Sequence, residues 1–135
     1  MAILYAARSA AMTKWASDVG LGKVLYKVGV ADDAESLAEQ AKAGWCGSAD
    51  WTVMAKTEVD GLTEDEAIER LAAREKMVDP ALYPRLKGQK GLFKVKTANV
   101  ENHILVAKAL KGEDTASFKL KPADIAAYLL HNAKR

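Results

Sequence analysis

Residues 25–40, LYKVGVADDAESLAEQ, change their hydrophobic period partway along. Val24, Tyr26, Val28 and Val30 alternate with Leu25, Lys27 and Gly29, the two-residue period of a strand running from about Lys23 to Val30. Asp32 or Asp33 then supplies a helix cap, and Leu37, Ala38 and Ala41 fall at helical spacing to about Lys42. A strand that passes through Gly29 into an acid-capped helix commits the chain to a mixed architecture, and the other segments agree with it. Ala2 to Ala7 is a short apolar run that suits a buried strand. Ser9 caps a short helix that places Met12, Trp15 and Val19 on one face and stops at Gly20.

GWCGSAD reads as a loop, and Trp51 to Val59 as a third strand ending at Asp60-Gly61. Thr63 and Glu66 have capping-box spacing at the head of TEDEAIERLAAREKM, whose buried stripe is Ile68, Leu71 and Ala72. Pro80 and Pro84 prevent continuation, so VDPALYPRLKGQKG is an irregular crossing segment. GLFKVK is a short strand. Asn99 to Leu110 is a helix with Val100, Ile104 and Ala107 aligned, and GEDTASFKL is a linker or edge strand. Pro122 sits in the first turn of a last helix that faces Ile125, Tyr128 and Leu129 inward. The expected fold is mixed α/β, a small sheet of three or four strands flanked by helices.

The bulk properties exclude little. A chain of 135 residues, half of them hydrophobic, can bury a core of its own. A net charge of +2 is too small to imply a nucleic-acid partner without a local basic patch. Cys46 is the single cysteine, which fits a reducing compartment. The apolar runs AILYAA and IAAYLL are far too short to span a bilayer, and the first residues lack the basic leader of a secretory signal, so a cytoplasmic location without membrane contact is expected. Cys/His pairs with zinc spacing and phosphate-loop glycines are both missing from the sequence.

ILY at 3–5 and YKVG at 26–29 resemble the paired strand motifs of the GIY-YIG nuclease superfamily, in particular the phage and bacterial branch with a YKIG second motif. VGVADDAESL resembles that branch's continuation, Glu66 falls early in a helix where the family keeps a metal-binding glutamate, and GLFKVK resembles its late EWF strand. The likeness implies a GIY-YIG-like domain over residues 1–96, with a helical extension over 97–135 packed on it. It also implies phosphodiester hydrolysis with one divalent ion, usually Mg2+, held by Glu66, while tyrosines corresponding to Tyr5 and Tyr26 help activate water.

The chain departs from the family pattern at a costly place. The family arginine lies about eight residues after the motif glycine, and that position is Leu37. Losing such a phosphate ligand costs roughly 2.7–4 kcal/mol of transition-state stabilisation. Asp32, Asp33, Glu35 and Glu39 on the same helix would repel a phosphate, and Gly91 replaces the acid of the EWF motif.

The candidate catalytic residues are therefore Tyr5, Tyr26, Lys27 and Glu66, each with a plainer reading beside it. Glu66 also explains itself as a cap or as an ion-pair partner of Arg70, the tyrosines as strand residues, and Lys27 as a solvated strand lysine. Gly29 permits close backbone approach or marks a bulge. Arg85, Lys87, Lys90, Lys94 and Lys96 form an acid-free basic cluster which, with Arg70, either holds a nucleic-acid backbone or only solubilises a face. Trp45 and Trp51 read as loop or core anchors, and Cys46 as an idle thiol. The leading expectation is a domain that binds DNA, another nucleic acid or a protein without efficient cleavage. The alternatives are an active Mg2+-dependent endonuclease with Arg8, Arg70 or Arg85 as its arginine, and an interaction module.

Overall fold

A computed structural model describes residues 2–22, 24–46, 48–86, 88–112 and 120–134, and Arg85 without its side chain. The elements are β1 (Ala2–Ser9), α1 (Ala10–Asp18), β2 (Leu25–Ala31), α2 (Ala34–Ala43), β3 (Trp51–Val59), α3 (Glu64–Ala72), β4 (Lys76–Met77), β5 (Leu92–Lys94), α4 (Thr97–Leu110) and α5 (Pro122–Lys134), with a 3-10 turn at Pro84–Leu86. The fold is mixed α/β. The sheet has the order β3-β1-β2-β5-β4, and each of its neighbouring pairs is antiparallel. The two-residue β4, too short to leave a periodic signal, adds a fifth strand to the expected set.

Both sheet faces are covered. Leu4, Ala6, Tyr26, Val28 and Phe93 pack with Ala67, Ile68 and Leu71 of α3 and with Ile125, Ala126 and Leu129 of α5. On the other face, Ile3, Tyr5, Ala7, Leu25 and Leu92 pack with Met12 and Ala16 of α1, Leu37 of α2, and Trp45 and Cys46. The segment 97–134 is thus split in role. Helix α5 closes the first core, whereas α4 is tied mainly through Val100 and through Asn99, whose amide donates to the buried Glu75 carboxylate at 3.2 Å. Tyr128 of α5 donates to that same carboxylate at 3.0 Å.

The caps fall where the sequence places them. Ser9 accepts from the Met12 N–H at 3.1 Å, Asp33 from Ser36 at 2.7 Å and Thr63 from Glu66 at 3.2 Å. Helix α1 ends in a Schellman arrangement, Leu21 N–H to Ala16 at 2.7 Å and Gly20 N–H to Ser17 at 3.3 Å, with Gly20 at φ 81°. Four apolar stripes need correction. Val19 is 43 % exposed, because Ala16 rather than Val19 meets the sheet below α1. Ala38 and Ala72 are also exposed, and in α3 the inward small residue is Ala67. Ala107 is exposed too, since α4 meets the core through Val100 and Ile104 and not as far along as Ala107.

Most of the 112–120 segment, read as linker or edge strand, lies outside the described residues, as does Lys23. Among the described residues no helix is long and apolar enough to cross a membrane.

Candidate functional site

The site follows from the β1–β2 register. Tyr5 pairs across from Gly29, and Lys27, two residues earlier, shares that face. Strand β5 pairs only with Leu25, Tyr26 and Lys27, so the outer edge of β2 lies open beyond Lys27. Gly91 takes the Val28 N–H at 2.7 Å, and Glu64, the first residue of α3, takes the Val30 N–H at 3.2 Å. A carboxylate thereby replaces a strand partner and is brought round to the Tyr5 face.

Gly29 makes room for this convergence. A Cβ there would collide with the Glu64 carboxylate and with the Tyr5 hydroxyl. Gly91, at φ 97°, has a similar task, because a Cβ would meet the Val28 carbonyl and stand 3.0 Å from Lys27 Nζ.

Lys27 is only 4 % exposed, so it is not the solvated strand lysine expected. Its Nζ lies 3.4 Å from the Val28 carbonyl, 3.5 Å from Tyr5 Oη and 4.0 Å from Glu64 Oε1. The rings of Tyr5 and Trp45 stack at 5.1 Å, and each centroid is 5.6 Å from the ammonium.

The 44–51 loop fixes Trp45. Its backbone bridges Ser48, and the Trp51 indole N–H reaches the carbonyls of Trp45 at 3.0 Å and Ser48 at 2.9 Å. Cys46, at φ 54°, donates its N–H to Gln89. Together these residues wall a cleft of about 390 Å³, completed by Gln40 from α2, Asp65 and Ile68 from α3, and Gly88, Gln89 and Lys90.

Burial governs the ionisation of the cleft. It lowers the Lys27 pKa, opposed by the charges of Glu64 and Cys46. It raises the Tyr5 pKa, assisted by Glu64 and then Cys46, so the phenol stays neutral. The Cys46 thiol is also pushed up by burial, with Lys27 pulling the other way. The cleft therefore holds an amine whose proton is held less tightly than usual, a neutral hydroxyl and a half-exposed carboxylate.

The candidate residues named from the sequence do not all meet here. Tyr5, Lys27 and Gly29 do, and Lys90 lines the same cleft. Tyr26 points to the opposite face, as strand alternation requires. Its hydroxyl donates to the Pro122 carbonyl at 3.4 Å, and its pKa is raised by burial against the neighbouring Arg8 guanidinium.

Glu66 is exposed. Its carboxylate accepts from the Thr63 hydroxyl at 3.0 Å and faces Arg70 at 3.6 Å, and Arg70 in turn reaches the Lys134 carbonyl at 3.2 Å. The acid delivered to the tyrosine and lysine is Glu64, two residues earlier. The signal was present, since Glu64 is one turn before Ile68 on the inward row, while the capping box drew attention to Glu66.

Leu37 is buried in the core as read, but the α2 residue that lines the cleft is Gln40, three positions on. Of the basic cluster, Lys94 is half-buried with its side chain near Gly22, and Lys96 is exposed at the head of α4. Lys87 and the side chain of Arg85 lie outside the described residues.

A resident Mg2+ ion does not fit this donor set. The ion demands about six oxygens in near-octahedral array. Glu64 is already engaged by the Val30 amide and faces an ammonium, leaving Asp65 as the other acid of the cleft. Among the described residues no group of three or more His, Cys, Asp or Glu could hold a metal. No family model, curated protein or solved structure matches the chain.

Proposed function

We propose that the Tyr5–Lys27 cleft binds the phosphodiester backbone of nucleic acid without hydrolysing it efficiently. The observation that carries this reading is the Lys27 ammonium, held beside the stacked rings of Tyr5 and Trp45 in a cleft with Lys90 on its wall. A cation in a concave, poorly hydrated site attracts an anion more strongly than one in open water. Gln40 and Gln89 add amide donors for phosphate oxygens. The GIY-YIG likeness supports the same reading, because β1 and β2 lie side by side with Tyr5 over Gly29. Weak turnover follows from the residue that α2 offers, a neutral amide rather than a guanidinium. Glu64 and Asp65 offset the two lysines, so affinity is modest and rises when Glu64 is neutralised.

Fluorescence anisotropy with labelled single- and double-stranded oligonucleotides at two salt concentrations tests the reading. Binding that weakens with salt and with Lys27→Met or Lys90→Ala is expected, and supercoiled plasmid stays intact with Mg2+. No binding at low salt overturns it. Efficient Mg2+-dependent nicking that Glu64→Gln abolishes would replace it with an active endonuclease.

A second reading, a protein partner, rests on α4, where Val106 and Leu110 are 59 % and 84 % exposed. Its test is a pull-down that fails for Val106→Asp and Leu110→Asp while oligonucleotide binding is unchanged.

A further inference from the structure

Anion binding does not use everything in the cleft. It also holds a primary amine largely shut off from water, with a hydroxyl and a carboxylate beside its nitrogen. Lysine is a poor nucleophile in water because it is protonated, and desolvation in an apolar pocket is a recognised way to free its lone pair. Lys27 is desolvated in this way, only 4 % exposed, although the cleft it opens on is lined by polar side chains as well. Tyr5 Oη stands 3.5 Å and Glu64 Oε1 4.0 Å from Nζ, and the stacked rings of Tyr5 and Trp45 form the apolar wall. Burial lowers the basicity of the amine, while Glu64 and Cys46 act in the opposite sense. Lys90, on the cleft wall, is a cation suited to a phosphate next to the reacting group.

We propose that Lys27 forms an imine with a phosphate-flanked aldehyde, the open-chain deoxyribose left in DNA where a base has been lost. This inference rests on the nucleic-acid reading above. The neutral amine attacks the sugar C1′, forming a C–N bond while the carbonyl pair moves to oxygen, which takes up a proton. The nitrogen releases a proton to Glu64. Glu64 returns that proton to the hydroxyl, which leaves as water, and the iminium so formed gives its remaining N–H proton to solvent, so amine and aldehyde become imine and water.

Protonation of the imine acidifies C2′. Glu64 removes a proton there, and the electron pair becomes a C2′–C3′ double bond as the C3′–O bond breaks and the phosphate leaves. Water then hydrolyses the imine, releasing the unsaturated aldehyde and restoring Lys27. The sequence balances without oxidant or reductant.

The full chain is incubated with an oligonucleotide containing one abasic site and sodium cyanoborohydride, which reduces an imine to a stable amine. The expected result is a covalent protein–DNA adduct on a denaturing gel. Proteolysis and mass spectrometry of the wild-type adduct locate it at Lys27, a readout that needs no variant to fold. Lys27→Met loses the adduct while keeping the wild-type circular dichroism spectrum.

The intact oligonucleotide gives no adduct under the same conditions, and deoxyribose 5-phosphate competes only weakly. Modification at Lys90 or other lysines instead of Lys27 overturns the proposal, as does trapping of deoxyribose 5-phosphate alone. Salt-sensitive binding of DNA without any adduct overturns this inference and leaves the binding reading standing. Failure to bind DNA of either kind removes both.

Discussion

Gly29→Ala tests the geometry on which the cleft depends. The added Cβ would stand 2.5 Å from Tyr5 Oη and 2.9 Å from Cζ, where ordinary contact begins at 3.4 Å. The ring would have to retreat by about 0.5–0.9 Å to relieve both contacts. Glu64 can swing toward solvent, because its side chain is 47 % exposed. Tyr5 has no such freedom, being 1 % exposed and stacked on Trp45, itself fixed by the Trp51 indole.

The strain therefore falls on a packed ring, and the cost belongs in the upper part of the overpacking range, about 2–3 kcal/mol. With a urea m-value of about 2 kcal/mol/M, the unfolding midpoint drops by roughly 1 M or slightly more. The Tyr5→Phe background removes the nearer contact and keeps the farther one. Gly29→Ala should thus cost less there, with a coupling of about 1 kcal/mol. An unchanged midpoint, or an equal drop in both backgrounds, would refute the claim that Tyr5 is locked over Gly29.

Five further outcomes follow from the structure. Lys27→Met should raise the urea midpoint at pH 7 while weakening oligonucleotide binding, because it removes a desolvated charge and leaves only the half-exposed Glu64 unpaired. The wild type, with its Lys27 pKa lowered on folding, should gain stability as pH climbs from that lowered value toward 10.5, a slope missing from Lys27→Met in pH-dependent unfolding curves. Glu64→Gln should tighten oligonucleotide binding in anisotropy titrations. Glu66→Ala should leave binding alone and cost only about 0.2–0.5 kcal/mol through its ion pair with Arg70. Asp50, its pKa lowered by the Ser9 hydroxyl and then the Ala11 N–H, should contribute stability above pH 3.8 that is lost as pH falls through its folded value. Asp50→Asn should therefore flatten the acid limb of the unfolding curve.

The regular elements were legible because their signals are local. Ser9, Asp33 and Thr63 cap helices through their own next turn, and Trp51–Val59 is bounded by turn residues at Asp60-Gly61. The site was less legible because it is made across elements. Strand alternation alone separates Tyr5 from Tyr26 once the register Tyr5–Gly29 is known, but register is a property of two strands and not of either. Lys27 looked solvated because nothing near it in sequence reveals the Trp45 loop folding over it. Glu64 reaches the cleft only because β5 is too short to cover the edge of β2, a fact of tertiary structure. Gln40 was hidden behind the more obvious apolar Leu37, one turn earlier on the same helix.

The interior place of β1, the first strand of the chain, has a consequence for how the chain is made. Strand β1 is flanked by β2 on one side and β3 on the other, and α5 packs across all three. On the ribosome it emerges ahead of both neighbours and of the helix that roofs them. Until residue 59 has followed, one of its edges has no mate, and until residue 134 has followed, the sheet face that α3 shares with α5 is only partly covered. Assembly must therefore wait for distant segments, which slows it and leaves a sticky ribbon in view during synthesis. A cell making this chain quickly would do well to keep a chaperone close to the nascent end.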